Sequence, residues 1–182
     1  MASRKVDSAR GWKSVAERHV VDPLVAPYTL IHGVPKDELY ERDVFWCAKS
    51  PQSHMGPFLN AVDFLVPDGT PVLAAAEGEI IEVVEGNTKW GDGDQYRDTL
   101  NFMTLEHRFG ELTQYCHLVK SSVTALGLRV GSKVKQGQHI ATVGKTGWTD
   151  RDHLHFLAFR DDRRNQENPF GSKSLIPRFT LP

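Results

Sequence analysis

From residue 61 onward, hydrophobic residues fall into short runs that turn residues separate. The runs are AVDFLV (61–66), PVLAA (71–75), EIIEVVE (79–85), TLNFMTLEH (99–107), ELTQYCHLV (111–119), KVKQGQHIATVG (133–144) and HLHFLAF (153–159). The turn PDGT (67–70) divides the first two, and RFG (108–110) predicts a hairpin between two others. Short, evenly spaced strands with little helix predict a mainly β fold, with antiparallel β-sheet in a barrel or sandwich and long loops forming a groove.

The N-terminal part of the chain does not share this pattern. Residues 8–19 predict a short helix, and three prolines then interrupt the chain before a weaker helical segment at 37–42. We therefore predict three segments, namely a partly helical extension packed on the domain (1–48), a β domain (49–165) and a C-terminal tail (166–182).

Composition and charge narrow the classes of partner. The 182 residues carry a formal net charge of −1, which argues against nucleic acid or anionic membrane as a general partner. No hydrophobic run reaches the length of a membrane span, and the first residues lack the apolar core of a secretory signal. Cys47 and Cys116 have no metal-binding spacing, and two free buried thiols are favoured over a disulfide.

The last hydrophobic run contains the pair His153 and His155. Side chains alternate along a strand, so these two imidazoles point to the same face. Their ring nitrogens need partners in an apolar run, and a metal ion is a common one. The alternative is one buried and one half-exposed histidine, each hydrogen-bonded to backbone.

Other polar residues interrupt apolar runs in the same way. Asp63 lies within AVDFLV, where a carboxylate is costly unless it is paired or binds a metal. His117 lies within QYCHLV, and His54 lies in a loop nine residues before Asp63. One carboxylate and several imidazoles near strand ends are the ligand chemistry of a catalytic zinc site.

Several motifs in order give the chain a family resemblance. They are DF (63–64), GTPV (69–72), AA (74–75), YCHL (115–118), GSKVKQGQHIATVGKTG (131–147) and HLHF (153–156). Across residues 54–160 this order resembles that of the lysostaphin-type (LytM-like) zinc endopeptidases, which cut peptide cross-links in peptidoglycan. The resemblance implies a zinc metalloendopeptidase with one Zn²⁺ per chain and peptidoglycan peptides as substrate.

The resemblance also implies residue roles. Asp63 and His155 correspond to zinc ligands, and His117 and His153 to catalytic histidines beside the metal. Zinc with three protein ligands retains a position for water and lowers the pKa of that water toward ~7. One of the two catalytic histidines would take a proton from the water while the other would hydrogen-bond the developing oxyanion. The sequence leaves open which histidine does which.

The third zinc ligand departs from the family pattern. The common spacing places a histidine four residues before the aspartate, and that position holds Leu59. His54 is the histidine close enough to serve, and we predict it as the third ligand. The alternatives are Asn60 as a substitute and an inactive site.

Other residues have simpler interpretations. His107 is predicted at the surface and His139 at a solvent-facing strand position, while alternation places Cys116 in the core on the face opposite His117. Asp150 and Asp152 either orient an imidazole or, as we favour, are caps or solvated charges. The glycine-rich loop GNTKWGDGDQYRD (86–98) is either a solvated excursion or a wall of the substrate groove.

Two other functions compete with the peptidase hypothesis. One is a catalytically inactive relative that binds the cell wall or a partner protein. The other is a lipoyl- or biotin-carrier hairpin, but KTG (145–147) lacks the residues that usually flank a modified lysine. The resemblance predicts extracytoplasmic action in the periplasm or cell wall, by way of an export signal that this chain does not show. A cytoplasmic location stays open, and no pattern predicts an oligomeric state.

Overall fold

The computed structural model describes residues 39–42, 45–48 and 53–177. Within these residues the strands are β1 Leu39–Arg42, β2 Phe45–Ala48, β3 Val62–Phe64, β4 Pro71–Leu73, β5 Gly78–Val84, β6 Trp90–Gly91, β7 Phe102–Glu106, β8 Glu111–Cys116, β9 Lys133–Val134, β10 His139–Thr142, β11 Gly147–Trp148, β12 Leu154–Asp161 and β13 Ser172–Ser174. The helical elements are short 3₁₀ turns at Gly56–Phe58, Asp94–Thr99, Arg108–Gly110 and Thr124–Leu126. The prediction of a mainly β fold is confirmed.

One large antiparallel sheet dominates the described part of the chain. Its strands follow the order β1-β2-β3-β12-β8-β7-β5-β9, and β13 extends the edge of β12 beyond β3. Two smaller two-stranded sheets consist of β4 with β10, which are antiparallel, and β6 with β11, which are parallel. The hairpin predicted at RFG (108–110) joins β7 to β8.

Strand alternation gives the large sheet a hydrophobic face. On β12, Phe156 is fully buried and packs its ring against Tyr115 of β8 and Phe64 of β3. Residues from the small β4–β10 sheet, Val72 and Ile140 among them, belong to the same hydrophobic core. Burial of this face fixes the register, because a shift of one residue would expose every core side chain.

The Phe156 ring provides a test of this core. We expect Phe156→Ala to lower the free energy of unfolding by about 3–5 kcal/mol, because truncation leaves a cavity among aromatic neighbours. Phe170, whose side chain is largely exposed, serves as control, and Phe170→Ala should cost far less. Urea unfolding of both variants measures the difference, and equal losses would contradict the assigned core.

The opposite face of the large sheet carries the polar residues. In the β12–β3 pairing His155 lies directly opposite Asp63, and in the β12–β8 pairing it lies directly opposite Cys116. Residues directly opposite each other project on the same side of a sheet. The sheet therefore separates a core face from a face on which His155 and Asp63 are neighbours.

The N-terminal extension differs from its prediction where it is described. Residues 39–42 form a strand instead of the expected weak helix, because β1 pairs with β2 and β2 pairs with β3 of the large sheet. Strand pairing at a sheet edge overrides a weak local helix propensity. The helix predicted at 8–19 lies outside the described residues, and the division into three segments stays a prediction. Among the described residues, none of the helices has the length and hydrophobicity that a membrane crossing requires.

Candidate metal centre and active site

Asp63 is the centre of a cluster of imidazoles. Its Oδ1 atom lies 2.8 Å from His155 Nδ1 and 3.2 Å from His54 Nε2. His153 Nε2 lies 3.7 Å from the same oxygen. All of these side chains are buried or nearly so, with Asp63 5% exposed. The carboxylate is thus placed where only cations or N–H donors can compensate its loss of water.

The loop before β3 brings His54 to this carboxylate. Its 3₁₀ turn Gly56–Phe58 bends the chain so that a residue nine positions before Asp63 comes within hydrogen-bonding distance. Leu59, at the position of the usual family histidine, is 65% exposed. Asn60, the alternative ligand, instead donates to Ser174 Oγ of β13 over 3.0 Å.

His117 reaches the cluster by an unusual backbone conformation. Strict alternation places it on the same face of the strand as Tyr115, and that prediction is wrong because β8 ends at Cys116 and His117 has a φ of 61°. The turn brings the His117 ring to within 4.6 Å of the His153 ring, centroid to centroid. A left-handed conformation is uncommon outside glycine and persists only where its surroundings hold it.

Residues 144–146 hold His117 in place. The Gly144 N–H donates to the His117 carbonyl over 2.7 Å, and His117 Nδ1 donates to the Thr146 carbonyl over 2.7 Å. Position 144 requires glycine, because a Cβ atom there would lie 2.7 Å from the Val119 backbone nitrogen. Since Nδ1 donates, Nε2 of a neutral His117 ring is the free acceptor.

The His153 ring, like that of His117, donates a hydrogen bond from Nδ1 to a backbone carbonyl. Its Nδ1 lies 3.0 Å from the Arg151 carbonyl, which can only accept, and 3.4 Å from Thr149 Oγ1. Nε2 of His153 therefore faces Asp63 without a proton in the neutral ring. Both predicted catalytic histidines thus present an unprotonated Nε2 toward the cluster.

Burial and neighbouring charge set the protonation states. Burial, with smaller contributions from His153 and His155, lowers the pKa of His117 to about 3. Burial also lowers the pKa of His153, although Asp63 opposes the shift. Burial would raise the pKa of Asp63, but the surrounding histidines hold it well below its usual value. At neutral pH the site therefore contains an ionised Asp63 carboxylate beside the neutral imidazoles of His117 and His153.

The residues fit a metal ion. Two overlapping groups place their ligand atoms within 4.8 Å of one another, one made of His54, Asp63 and His155, the other of His117, His153 and His155. In a tetrahedral zinc site with bonds of about 2.0–2.1 Å, ligand atoms are separated by about 3.3 Å. The distances of 2.8 and 3.2 Å from Asp63 Oδ1 to the His155 and His54 nitrogens are close to that separation.

Among the histidines and aspartates given simpler interpretations, His107 differs from its prediction, and the others agree. His107 is not at the surface but is buried, with its Nδ1 2.7 Å from the Glu77 carbonyl and its Nε2 2.7 Å from Thr113 Oγ1. His139 is exposed, as predicted. Asp150 pairs with Arg151 and Asp152 with Lys145, in keeping with partly solvated charges.

Cys116 is buried as predicted but on the other face of the sheet. It is a free thiol directly opposite His155, so it shares the face of the candidate site. Burial, then the charges of Asp63 and Glu82, raises the pKa of Cys116. A protonated, buried thiol is a poor nucleophile, so the site chemistry does not depend on it.

The long loop 86–98 packs beside the candidate site. Its strand β6 pairs with β11, so that Trp90 lies opposite Gly147. Lys145 Nζ lies 4.8 Å from the Trp90 ring centroid, within cation–π range, and also forms an ion pair with Asp152. This loop is an ordered element and includes a 3₁₀ turn, Asp94–Thr99.

Comparison with known proteins assigns the family. Residues 57–169, more than half of the chain, match the profile described as "Peptidase family M23". The chain belongs to peptidase family M23. The matched region contains Asp63, His117, His153 and His155, whereas His54 lies just before it. The resemblance to lysostaphin-type enzymes is confirmed.

Similar M23 proteins come from several bacteria. Glycyl-glycine endopeptidase ALE-1 of Staphylococcus capitis is 38% identical, over 52% of this chain and 23% of its own. Peptidoglycan DD-endopeptidase ShyB of Vibrio cholerae is 36% identical, over 53% of this chain and 19% of its own. Cell division protein DipM of Caulobacter vibrioides is 29% identical, over 65% of this chain and 17% of its own. The chain thus spans less than a quarter of the length of these relatives.

A solved structure is also similar. The catalytic domain of the antimicrobial peptidase lysostaphin from Staphylococcus simulans matches at 30% identity with a TM-score of 0.44, over 63% of this chain and 74% of that chain.

Proposed function

We propose that this M23 protein is a zinc-dependent endopeptidase that hydrolyses peptide bonds in peptidoglycan cross-links or stem peptides. The observation that carries the proposal is the convergence of His54, Asp63 and His155 beside two neutral imidazoles, those of His117 and His153. A carboxylate with two imidazoles is a ligand set of catalytic zinc sites, and the two further imidazoles suit proton transfer.

In this proposal His54, Asp63 and His155 hold the zinc ion. Asp63 supplies the negative charge, and the two histidines supply neutral nitrogen ligands. When bound, zinc acts as a Lewis acid toward a peptide carbonyl and lowers the pKa of water toward ~7. Both groups place their ligand atoms within the same distance, but only the group with Asp63 contains a negative charge to balance that of the cation, and this charge supports the assignment.

His117 and His153 carry the proton chemistry. Each ring donates through Nδ1 to a backbone carbonyl, of Thr146 and Arg151 respectively, so each Nε2 accepts a proton. A ring that takes a proton from water at Nε2 becomes a donor there. It can then hydrogen-bond the developing oxyanion or protonate the leaving amine. The pKa values of both rings lie below their usual range, which favours rapid release of that proton.

The substrate class is proposed from the relatives and from the loop beside the site. Relatives named as peptidoglycan and glycyl-glycine endopeptidases support cell-wall peptides and hence extracytoplasmic action. Half-exposed Trp90 and Trp148 on strands β6 and β11 support a groove wall formed by residues 86–98. Aromatic side chains of this kind give a peptide substrate apolar contact area.

Hydrolysis of purified cell wall tests the function. Zinc-loaded protein incubated with peptidoglycan sacculi should generate new amino groups, and mass spectrometry of the released fragments identifies the bond. Removal of the metal with a chelator should abolish the reaction, and added zinc should restore it. If zinc-loaded protein binds sacculi but produces no new amino groups, it is a binding module instead of a peptidase.

A further inference from the structure

A buried hydrogen-bond network lies directly behind His117. It contains Asn101, which is fully buried, and Thr146, which is 3% exposed. The sequence pattern assigns no functional role to either residue. Both lie in the described β domain, and the Thr146 carbonyl accepts the His117 Nδ1 proton.

Each hydrogen bond in this network has a defined donor and acceptor. The Asn101 backbone N–H donates to Thr146 Oγ1 over 3.0 Å, and Thr146 Oγ1 donates to the Leu118 carbonyl over 3.2 Å. The Asn101 side-chain amide donates to the same Leu118 carbonyl over 3.1 Å, and the Leu118 N–H donates to the Asn101 carbonyl over 3.2 Å. The Thr146 hydroxyl therefore uses its proton and one lone pair on backbone partners.

The network joins the catalytic histidine to the proposed groove wall. Asn101 Oδ1 accepts from the Asn87 N–H over 2.9 Å, and Asn101 Nδ2 donates to the Asn87 carbonyl over 3.0 Å. Asn87 is the second residue of the loop 86–98, which contains Trp90. Gly147, which follows Thr146, donates its N–H to the Lys89 carbonyl of that loop. Gly147 has a φ of 82° and a Cβ there would lie 3.0 Å from Leu100 Cα, so glycine is required.

We propose that Thr146 is a positioning residue, whose hydroxyl, held by Asn101 and Leu118, keeps the Thr146 carbonyl on His117 Nδ1. This carbonyl fixes the Nδ1–H tautomer of His117 and leaves Nε2 free to accept a proton. The inference rests on the proposed catalytic role of His117 and extends it to a group that does not contact the metal or the substrate. Groups that orient a catalytic imidazole in this way matter for rate more than for binding.

The isosteric variant Thr146→Val tests the role. It removes the hydroxyl and leaves the side-chain volume nearly unchanged. The hydrogen bonds from Asn101 and to Leu118, which hold residue 146 and its carbonyl in place, are then lost. We expect kcat to fall about tenfold, KM to change less than about twofold and zinc content to stay at the wild-type level. Thr146→Ser restores the hydroxyl and should restore kcat to within about twofold of wild type.

A control separates positioning from stability. Thr113 is also fully buried, and its hydroxyl lies 2.7 Å from His107 Nε2, away from His117. Thr113→Val should lower the free energy of unfolding by an amount similar to that of Thr146→Val, without changing kcat.

A spectroscopic readout makes the test independent of activity. In ¹⁵N-labelled protein as purified, long-range ¹⁵N–¹H spectra should show His117 with a protonated Nδ1 and an unprotonated Nε2. Thr146→Val should shift both nitrogens toward a mixture of tautomers, and Thr146→Ser should not. Unchanged His117 shifts in Thr146→Val, or unchanged kcat, would overturn the proposal. If wild-type protein cleaves no peptidoglycan, the proposed function fails, while the nitrogen shifts still decide whether Thr146 positions His117.

Discussion

Asp63→Asn is expected to abolish both zinc binding and peptidase activity. The Asp63 carboxylate contacts His54 and His155 through one oxygen, and it provides the negative charge of the proposed ligand set. An amide of the same shape carries no charge, so it cannot balance the positive charge of the metal ion. The rate of peptidoglycan cleavage should fall by at least about 10³-fold, a loss typical of removing an essential member of a catalytic unit.

Asp161→Asn is the matched control for this variant. Asp161 ends strand β12, is paired with Arg163 and lies at the opposite end of the strand from His155. It should keep wild-type zinc content and rate. Elemental analysis and a cleavage assay on both variants measure the contrast, and full zinc occupancy in Asp63→Asn would remove Asp63 from the ligand set.

Replacing either of the two proposed catalytic histidines should reduce turnover while zinc stays bound. In His117→Ala and His153→Ala we expect kcat to fall by about 10²–10⁴-fold, the usual contribution of a positioned general acid or base. The proposed ligand set of His54, Asp63 and His155 is unchanged in both variants, so their zinc content should match that of wild type. Steady-state kinetics with elemental analysis provides the measurement.

The exposed His139 is the control for these two variants. It lies on β10, and its Nε2 lies 2.8 Å from a local carbonyl, that of Ala141. His139→Ala should therefore keep wild-type kinetics. If the two rings act as one unit, the double variant lacking His117 and His153 should be little slower than the slower single variant. Loss of zinc in both single variants would show instead that the all-histidine group holds the metal.

The strands could be predicted because one face of the large sheet is buried. The apolar runs 61–66 and 153–159 predicted the strands that become β3 and β12, and alternation correctly placed His153 and His155 on one face. The face of His117 was predicted wrongly because alternation holds only within a strand. The left-handed turn after Cys116 follows from hydrogen bonds to residues 144–146, which are distant in sequence.

The charged and imidazole residues of the candidate site could be predicted from the sequence, whereas its buried amide could not. Asp63 and His155 stood out because charged or polar groups are costly within apolar runs. Asn101 interrupts an apolar run in the same way, but an amide is satisfied by many partners and points to no single chemistry. The burial of His107 depends on the Glu77 carbonyl and the Thr113 hydroxyl, whose approach only the folded sheet determines.

The zinc content of wild type beside His54→Ala tests the central claim most directly. The claim is that His54, nine residues before Asp63, completes a three-ligand site. We predict about one zinc ion per chain in wild type and in the control Asn60→Ala, and almost none in His54→Ala. Full zinc content in His54→Ala, or no zinc in wild type after reconstitution, would contradict this account.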